Sequence, residues 1–156
     1  MVKSEIKLLD CTLRDGGYYN NWDFEAGLVD LYLNAVGAAS IDIVEIGFRS
    51  IPKRSFMGPF VYSTDEYLET LPLPENAQIG VMINASEYLE VSDRPEELIC
   101  KLFQPAERSP VGIVRIAINF ENTLEAKVLA TKLKELGYQV GLNMMQSQGR
   151  NKEQYE

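Results

Sequence analysis

Histidine is absent from the 156-residue sequence, and only two cysteines and one tryptophan are present. Because histidine is the usual general base near neutral pH and the commonest metal ligand, any chemistry must use carboxylates, arginine, tyrosine or cysteine, or residues supplied from elsewhere. Cys11 and Cys100 lie far apart and lack the CxxC spacing of a zinc or redox site. They are therefore predicted to be reduced, mostly packed thiols of a cytoplasmic protein.

Several other patterns are missing, and each absence argues against a class of protein. No apolar run approaches the roughly 18 to 20 residues of a membrane helix, and Met1–Glu5 lacks the start of a signal peptide. The net charge of -8, with both signs interspersed, argues against a surface that follows nucleic-acid phosphates. Gly16 and Gly17 are followed by no Walker lysine, and GxGxxG does not occur. The sequence thus predicts a globular protein with neither a nucleic-acid partner nor a membrane partner.

Short apolar segments alternate with helical patterns along the whole chain. The apolar content of 46% is enough for one cored domain. Strands are predicted at Ile6–Thr12, Ile41–Ile46, Gln78–Ile83, Val111–Ile118 and Gln139–Asn143. Four helices are predicted between these strands. The first follows Asp23 and ends at Gly37, and its apolar face is formed by Leu28, Leu31, Tyr32, Ala35 and Val36. The second follows the capping box of residues 63–66, the third spans Pro95–Phe103, and the fourth follows Asn122 and ends at Gly137, with Leu129, Leu133 and Leu136 on one face. This alternation is typical of a parallel sheet with right-handed crossovers.

Two α/β architectures fit this order of elements. One is a five-stranded doubly wound sheet of the flavodoxin type, with strand order 2-1-3-4-5. The other is a (β/α)₈ TIM barrel, usually about 250 residues, cut after its fifth strand and with sequential order 1-2-3-4-5. Residues 149–156 look like the start of a helix with no strand after it. The prediction is therefore a partial (β/α)₈ barrel, in which residues 1–156 form the N-terminal portion of a single truncated domain.

Polar residues follow the predicted strands, at the edge of the sheet where both architectures place their ligands. They are Arg14, Asp15, Glu45, Arg115, Asn119 and Asn143. Glu45 interrupts an apolar strand, and because a lone buried carboxylate is costly, pairing with Arg14 across adjacent strands is predicted. Asp15 suits Mg²⁺ or Mn²⁺, which prefer oxygen ligands, and a neighbouring guanidinium can stabilise an enolate oxygen.

Each of these residues also has a purely structural interpretation. Asp15 and Arg14 could face solvent in a turn, Glu45 could be a half-exposed edge residue, and Arg115 could be an ion-pair partner. Asn119 and Asn143 could be strand-end caps. The aromatic residues Tyr18, Tyr19 and Trp22 more often pack than bind, although Tyr18 is close enough to Asp15 to take part in proton transfer.

The nine residues LDCTLRDGG at positions 9–17 resemble the first-strand signature of the DRE-TIM metallolyase superfamily, which includes 4-hydroxy-2-oxovalerate aldolase, hydroxymethylglutaryl-CoA lyase and isopropylmalate synthase. The four residues VEIG at positions 44–47 resemble its second strand, and the later strands follow at compatible spacing. By this resemblance Asp15 is a metal ligand, Arg14 polarises the keto-acid or enolate oxygen, and Glu45 positions Arg14. Arg115 and Asn143 are further candidates for substrate binding.

The resemblance implies an aldolase that uses Mn²⁺ or Mg²⁺ to cleave a 4-hydroxy-2-oxo acid into a pyruvate-type enolate and an aldehyde. The family's HxH metal ligands cannot exist in a chain without histidine, so this fragment is expected to be inactive and need not hold the metal alone. Tyr18 stands where the aldolase branch has a histidine, which makes it the candidate for proton transfer. The alternatives are a Claisen-type acyl-CoA synthase and a flavodoxin-like binding or signalling domain using Asp10 and Asp15. Unpaired barrel edges predict a homo-oligomer.

Overall fold

Five parallel strands form one sheet that curls into half of a barrel. The computed structural model describes residues 6–155. The strands are β1 (Leu9–Asp10), β2 (Ile43–Phe48), β3 (Gln78–Asn84), β4 (Val111–Asn119) and β5 (Gln139–Met145). Their order is β1-β2-β3-β4-β5, and each neighbouring pair is parallel. The sequential order confirms the predicted partial barrel and rules out the flavodoxin-type order 2-1-3-4-5.

Helices connect the strands and cover the outer face of the sheet. The α-helices are α1 (Thr12–Gly16), α2 (Ala26–Ala38), α3 (Asp65–Leu68), α4 (Ala85–Val91), α5 (Pro95–Leu102) and α6 (Lys127–Glu135). Short 3₁₀ helices lie at Gly17–Tyr19, Pro59–Val61, Ala106–Arg108, Phe120–Ala126 and Lys152–Gln154. Helix α3 starts where predicted, but the cap is Thr64, whose hydroxyl accepts a hydrogen bond from the Tyr67 amide. The predicted capping box is not formed, because the Ser63 hydroxyl donates to the Phe60 carbonyl oxygen instead. Within the described part of the chain, every helix is too short or too polar to span a lipid bilayer.

The core lies between the sheet and its helices, and it corrects the predicted face of α2. Val29, Leu33 and Val36 of α2 are buried, whereas Leu28 and Leu31 are 54% and 71% exposed. The helix carries two apolar stripes, so periodicity alone could not identify the one that packs on the sheet. On α6 the predicted face is confirmed at Leu129 and Leu133, which are fully buried.

The first strand was predicted too long, and this difference shapes the site. Only Leu9–Asp10 pair with β2, and the chain turns into α1 at Thr12. The Asp10 carboxylate accepts hydrogen bonds from the Thr12 amide (2.9 Å) and the Thr12 hydroxyl (3.1 Å), which starts the helix immediately after the strand. Gly16 ends α1 and Gly17 begins the following 3₁₀ helix. Gly17 is required there because an added Cβ would lie 2.0 Å from Trp22 Cδ1.

Other boundaries also differ from the sequence prediction. Helix α4 was not predicted, and Asn122 lies inside a 3₁₀ helix instead of capping α6. Strand β2 extends two residues beyond the predicted Ile46, and Gly47 lies at a register shift inside it, where an added Cβ would meet the Phe60 carbonyl oxygen at 2.1 Å. The helix expected at residues 149–156 is the 3₁₀ turn Lys152–Gln154, while Glu156 and the segment Met1–Glu5 lie outside the described residues.

The long connection after β2 is anchored by a buried ion pair. Arg49 Nη2 donates to Asp65 Oδ1 and to the Ser63 carbonyl oxygen, both at 2.6 Å. Both charged side chains are almost completely buried. The loop of residues 49–63 is therefore fixed at both ends to the carboxyl edge of the sheet.

Candidate active site

Glu45 lies at the centre of a row of polar side chains on the inner face of the half-barrel. It is only 1% exposed. Its Oε1 accepts a hydrogen bond from Arg14 Nε at 2.7 Å, and its Oε2 accepts one from Arg115 Nη1 at 3.1 Å. Because two guanidinium groups contact one carboxylate, the buried charge is compensated. The predicted pairing of Glu45 with Arg14 is present, and Arg115 is an additional partner.

Helix α1 presents Arg14 and Asp15 together at the carboxyl end of β1. Arg14 donates from Nη1 to Asp15 Oδ1 and from Nη2 to Asp15 Oδ2 (3.2 Å). Burial opposes the charged form of Arg14, but the hydrogen bond and charge of Glu45, together with the charge of Asp15, outweigh it and raise the pKa of Arg14. Arg14 is therefore a fixed cation whose side chain links the buried Glu45 to the open Asp15, which is 57% exposed.

Two hydrogen bonds from neighbouring segments fix the position of α1. The Tyr32 hydroxyl of α2 donates to Asp10 Oδ1, the same carboxylate that starts α1. Burial raises the pKa of Tyr32, and the hydrogen bond to Asp10 raises it further. Trp22 Nε1 donates to the Arg14 carbonyl oxygen at 2.8 Å. These contacts hold the backbone that carries Arg14 and Asp15.

Two glycines lie opposite the charged residues of the row in the sheet. Glu45 on β2 is opposite Gly80 on β3, and Arg115 on β4 is opposite Gly141 on β5. An added Cβ at Gly80 would lie 2.9 Å from Ile113 Cγ2 on β4. At Gly141 an added Cβ would lie 3.3 Å from Arg115 Cγ.

Asn143 completes the row on β5. Its Oδ1 accepts a hydrogen bond from Arg115 Nη2 at 3.0 Å. The continuous series is Asp15, Arg14, Glu45, Arg115 and Asn143, so five predicted site residues converge at one edge. Asn119 lies at the exposed end of β4, further along the same edge.

Tyr18 takes a packing position at this edge. Its ring lies 4.6 Å from Trp22 and 6.3 Å from Phe48, centroid to centroid, and 65% of the residue is exposed. Across residues 6–155, no hydrogen bond joins the Tyr18 hydroxyl to Arg14 or Asp15. Phe48 was not predicted as a site residue, yet the Arg14 guanidinium carbon lies 5.7 Å from its ring centroid. In the sequence, the one feature that could have identified Phe48 as a site residue is that it is aromatic and stands at the end of a buried strand.

Asp15 is the predicted ligand of a divalent cation, and its surroundings show whether the residues present could hold one. The Cys11 thiol donates to its Oδ2 at 3.2 Å, and burial followed by the hydrogen bond and charge of Asp15 raises the pKa of Cys11. Both Asp15 oxygens thus already accept hydrogen bonds. Among the described residues, no three His, Cys, Asp or Glu side chains are grouped closely enough to hold a metal ion. The residues present do not fit a cation by themselves, and Asp15 as a ligand stays a prediction.

No family model and no curated protein matches this chain. Among solved structures, it is similar to "the N-terminal domain of a putative aldolase from Bacteroides vulgatus", with 37% sequence identity and a TM-score of 0.81. The alignment covers 96% of this chain and 48% of the other, so the chain spans about half the length of the protein it matches. Over nearly all of its own length, the chain is therefore similar in both fold and sequence to this domain.

Proposed function

We propose that this chain is the N-terminal part of an aldolase that cleaves a 4-hydroxy-2-oxo acid into a pyruvate-type enolate and an aldehyde. The observation that carries the proposal is the convergence of Asp15, Arg14, Glu45 and Arg115 at the carboxyl edge of a half-barrel. The similarity to a domain of a putative aldolase supports the general kind of reaction. The whole protein is proposed to catalyse this reaction, and residues 1–156 alone are proposed to be inactive.

Arg14 is proposed to stabilise the enolate oxygen. Its Nε donates a hydrogen bond to Glu45, while Nη1 and Nη2 donate to the exposed Asp15 at the carboxyl edge of the half-barrel, which we call the mouth. A guanidinium held in place before the reaction stabilises developing negative charge without having to reorganise. Glu45 acts as a positioning residue because it fixes the orientation of this guanidinium.

Arg115 and Asn143 are proposed to bind the carboxylate end of the 2-oxo acid. Arg115 keeps 25% of its side chain exposed, although Glu45 and Asn143 hold two of its nitrogens. Its fixed donors match the planar geometry of a carboxylate. Tyr18 is the candidate for proton transfer at the 4-hydroxyl, since its exposed phenol lies at the same mouth.

The whole enzyme is further proposed to use Mn²⁺ or Mg²⁺, with Asp15 as one ligand and the remaining ligands outside the described residues. A cytoplasmic location is also proposed, and the two free thiols Cys11 and Cys100 are consistent with it.

Binding of oxalate, which mimics the pyruvate enolate, can be measured on the 156-residue chain and tests the proposed roles of Arg14 and Arg115. We expect saturable shifts of the Arg14 and Arg115 Nε resonances in ¹⁵N NMR spectra. Arg14→Lys should weaken oxalate binding by about tenfold or more, because lysine cannot replace the guanidinium fork. Arg108→Lys is the matched control, since Arg108 is exposed and far from the row. Unchanged binding in Arg14→Lys would contradict the assignment.

Turnover assays on a whole protein containing this chain test the reaction. Release of pyruvate from 4-hydroxy-2-oxo acids is expected. Condensation of acetyl-CoA with 2-oxo acids, without aldol cleavage, would instead identify a Claisen-type synthase.

A further inference from the structure

The donors of Arg14 that face the mouth already hold a carboxylate of the same chain. Nη1 donates to Asp15 Oδ1, and Nη2 donates to Asp15 Oδ2 at 3.2 Å. Two such hydrogen bonds between a guanidinium and a carboxylate are the arrangement by which arginine recognises a carboxylate ligand. Asp15 therefore occupies the place on Arg14 that an anionic ligand would take.

The exposure of the two side chains shows which of them an incoming anion meets first. Only 12% of the Arg14 side chain is exposed, compared with 57% of the Asp15 side chain. The Nε of Arg14 donates to the buried Glu45 at 2.7 Å, and the Phe48 ring centroid lies 5.7 Å from the guanidinium carbon. The donors that remain for a ligand at the mouth, Nη1 and Nη2, are those that Asp15 covers.

Asp15 is held weakly enough to be displaced. Among residues 6–155, the one hydrogen bond that its carboxylate accepts from a residue other than Arg14 comes from the Cys11 thiol at 3.2 Å, and a thiol is a weak donor. Because more than half of the Asp15 side chain is exposed, the carboxylate can turn into water without burying its charge. Glu45, at 1% exposure, has no such freedom.

Arg115 differs from Arg14 in this respect. Its Nη1 donates to Glu45, but its Nη2 donates to Asn143 Oδ1 at 3.0 Å, which belongs to a neutral carboxamide. An anion that approaches Arg115 therefore competes with no negative charge at that nitrogen. An anion that approaches Arg14 must compete with Asp15 for the same donors, and two carboxylates that close together repel each other.

We propose that Asp15 is a built-in competitor of the substrate: it holds Nη1 and Nη2 of Arg14 in the free chain and must turn away before Arg14 binds the enolate oxygen. This inference rests on the proposed function, which gives Arg14 that role. Anion binding and the release of Asp15 then occur together. The free chain consequently binds an enolate mimic less tightly than its two arginines alone would allow.

Oxalate titration of Asp15→Ala, with calorimetry at about 0.15 M salt so that distant charges are screened, tests the competition. We expect this variant to bind oxalate at least about tenfold more tightly than the wild type. Asp23→Ala is the matched control, because Asp23 is also exposed and, in the described part of the chain, no hydrogen bond or ion pair joins it to Arg14. The control should bind as the wild type does, and circular dichroism confirms that both variants fold. Equal or weaker binding in Asp15→Ala than in the wild type would overturn the proposal.

A double variant separates the occupation of the donors from a general effect of charge. When Arg14→Lys is already present, Asp15→Ala should give a much smaller gain in oxalate affinity, because lysine lacks the guanidinium fork that Asp15 occupies. An equal gain with and without Arg14→Lys would mean that Asp15 acts through its charge alone, and the proposal would be wrong.

NMR spectra of the wild type observe the displacement directly. Oxalate should shift the ¹³C carboxyl resonance of Asp15 along the same saturation curve as the ¹⁵Nε resonance of Arg14. A shift at Arg14 with no change at Asp15 would contradict the inference.

The outcomes also separate this inference from the proposed function. If Arg14→Lys weakens oxalate binding but Asp15→Ala does not strengthen it, the proposed function stands and the competition does not exist. If oxalate binds to neither the wild type nor Asp15→Ala, the proposed function is contradicted, and the role of Asp15 as a competitor is contradicted with it.

Discussion

At the scale of single residues, the site depends on one buried carboxylate. Glu45 holds Arg14 and Arg115, and each of these arginines has one further polar contact at the mouth, Asp15 and Asn143 respectively. Removing the charge of Glu45 leaves two guanidinium groups facing each other in a largely buried space. The two arginines then lose both their orientation and the charge that balances them.

Glu45→Gln is therefore expected to lower the free energy of unfolding by about 3–5 kcal/mol, the usual cost of breaking a buried ion pair on one side. Urea denaturation of the purified chain measures this change. Glu69→Gln, at an exposed position after α3, is the matched control and should stay within about 0.5 kcal/mol of the wild type. If Glu45→Gln loses no more stability than Glu69→Gln, Glu45 contributes no more than an ordinary surface carboxylate.

At the scale of elements, α1 is held by its neighbours rather than by its own length. It has five residues, and its start depends on the Asp10 carboxylate, which Tyr32 of α2 also contacts. A helix this short is unstable alone, so tertiary contacts must fix it. The Asp10–Tyr32 contact therefore connects the packing of α2 to the position of Arg14.

Tyr32→Phe should lower the free energy of unfolding by about 1.5–3 kcal/mol, because a hydrogen bond to a charged acceptor is lost.

The contribution of Tyr32 to the free energy of unfolding depends on pH. Burial and the Asp10 contact raise the pKa of Tyr32, so the folded state keeps a proton that the unfolded state loses above about pH 10. Stability from Tyr32 is fully present below that pH and falls as the pH rises. The loss between pH 9 and 11 should be smaller in Tyr32→Phe than in the wild type, and Tyr19→Phe, at a 96% exposed residue, should behave as the wild type.

Most of the strands, and the pairing of Glu45 with Arg14, could be predicted from the sequence because they depend on which side chains are buried. Apolar runs located β2 to β5, and the cost of burying Glu45 predicted its pairing with Arg14 on the adjacent strand. The contact between Glu45 and Arg115 was not predicted, because β2 and β4 are not neighbours in the sheet and sequence spacing gives no signal for a contact across β3. The early end of β1 was missed because it depends on a side-chain contact of Asp10, which has no periodic signal.

At the scale of the whole molecule, the half-barrel leaves two sheet edges. In the part of the chain that the structure describes, β1 pairs only with β2 and β5 pairs only with β4. Large apolar side chains are exposed at both edges, among them Leu8 next to β1 and Leu142 on β5. Parallel edges with exposed apolar residues favour further pairing.

The isolated chain is accordingly predicted to self-associate through these edges. Light scattering after size exclusion should show a mass that rises above the monomer as concentration increases. Leu142→Lys, at a 45% exposed position on β5, should move the equilibrium toward the monomer, because a charge on an edge strand opposes pairing. Val91→Lys places the same charge at the end of α4, away from both edges, and should leave the mass unchanged. If the wild type stays monomeric at every concentration, neither edge drives association. If both variants dissociate equally, the contact depends on net charge and not on the β5 edge.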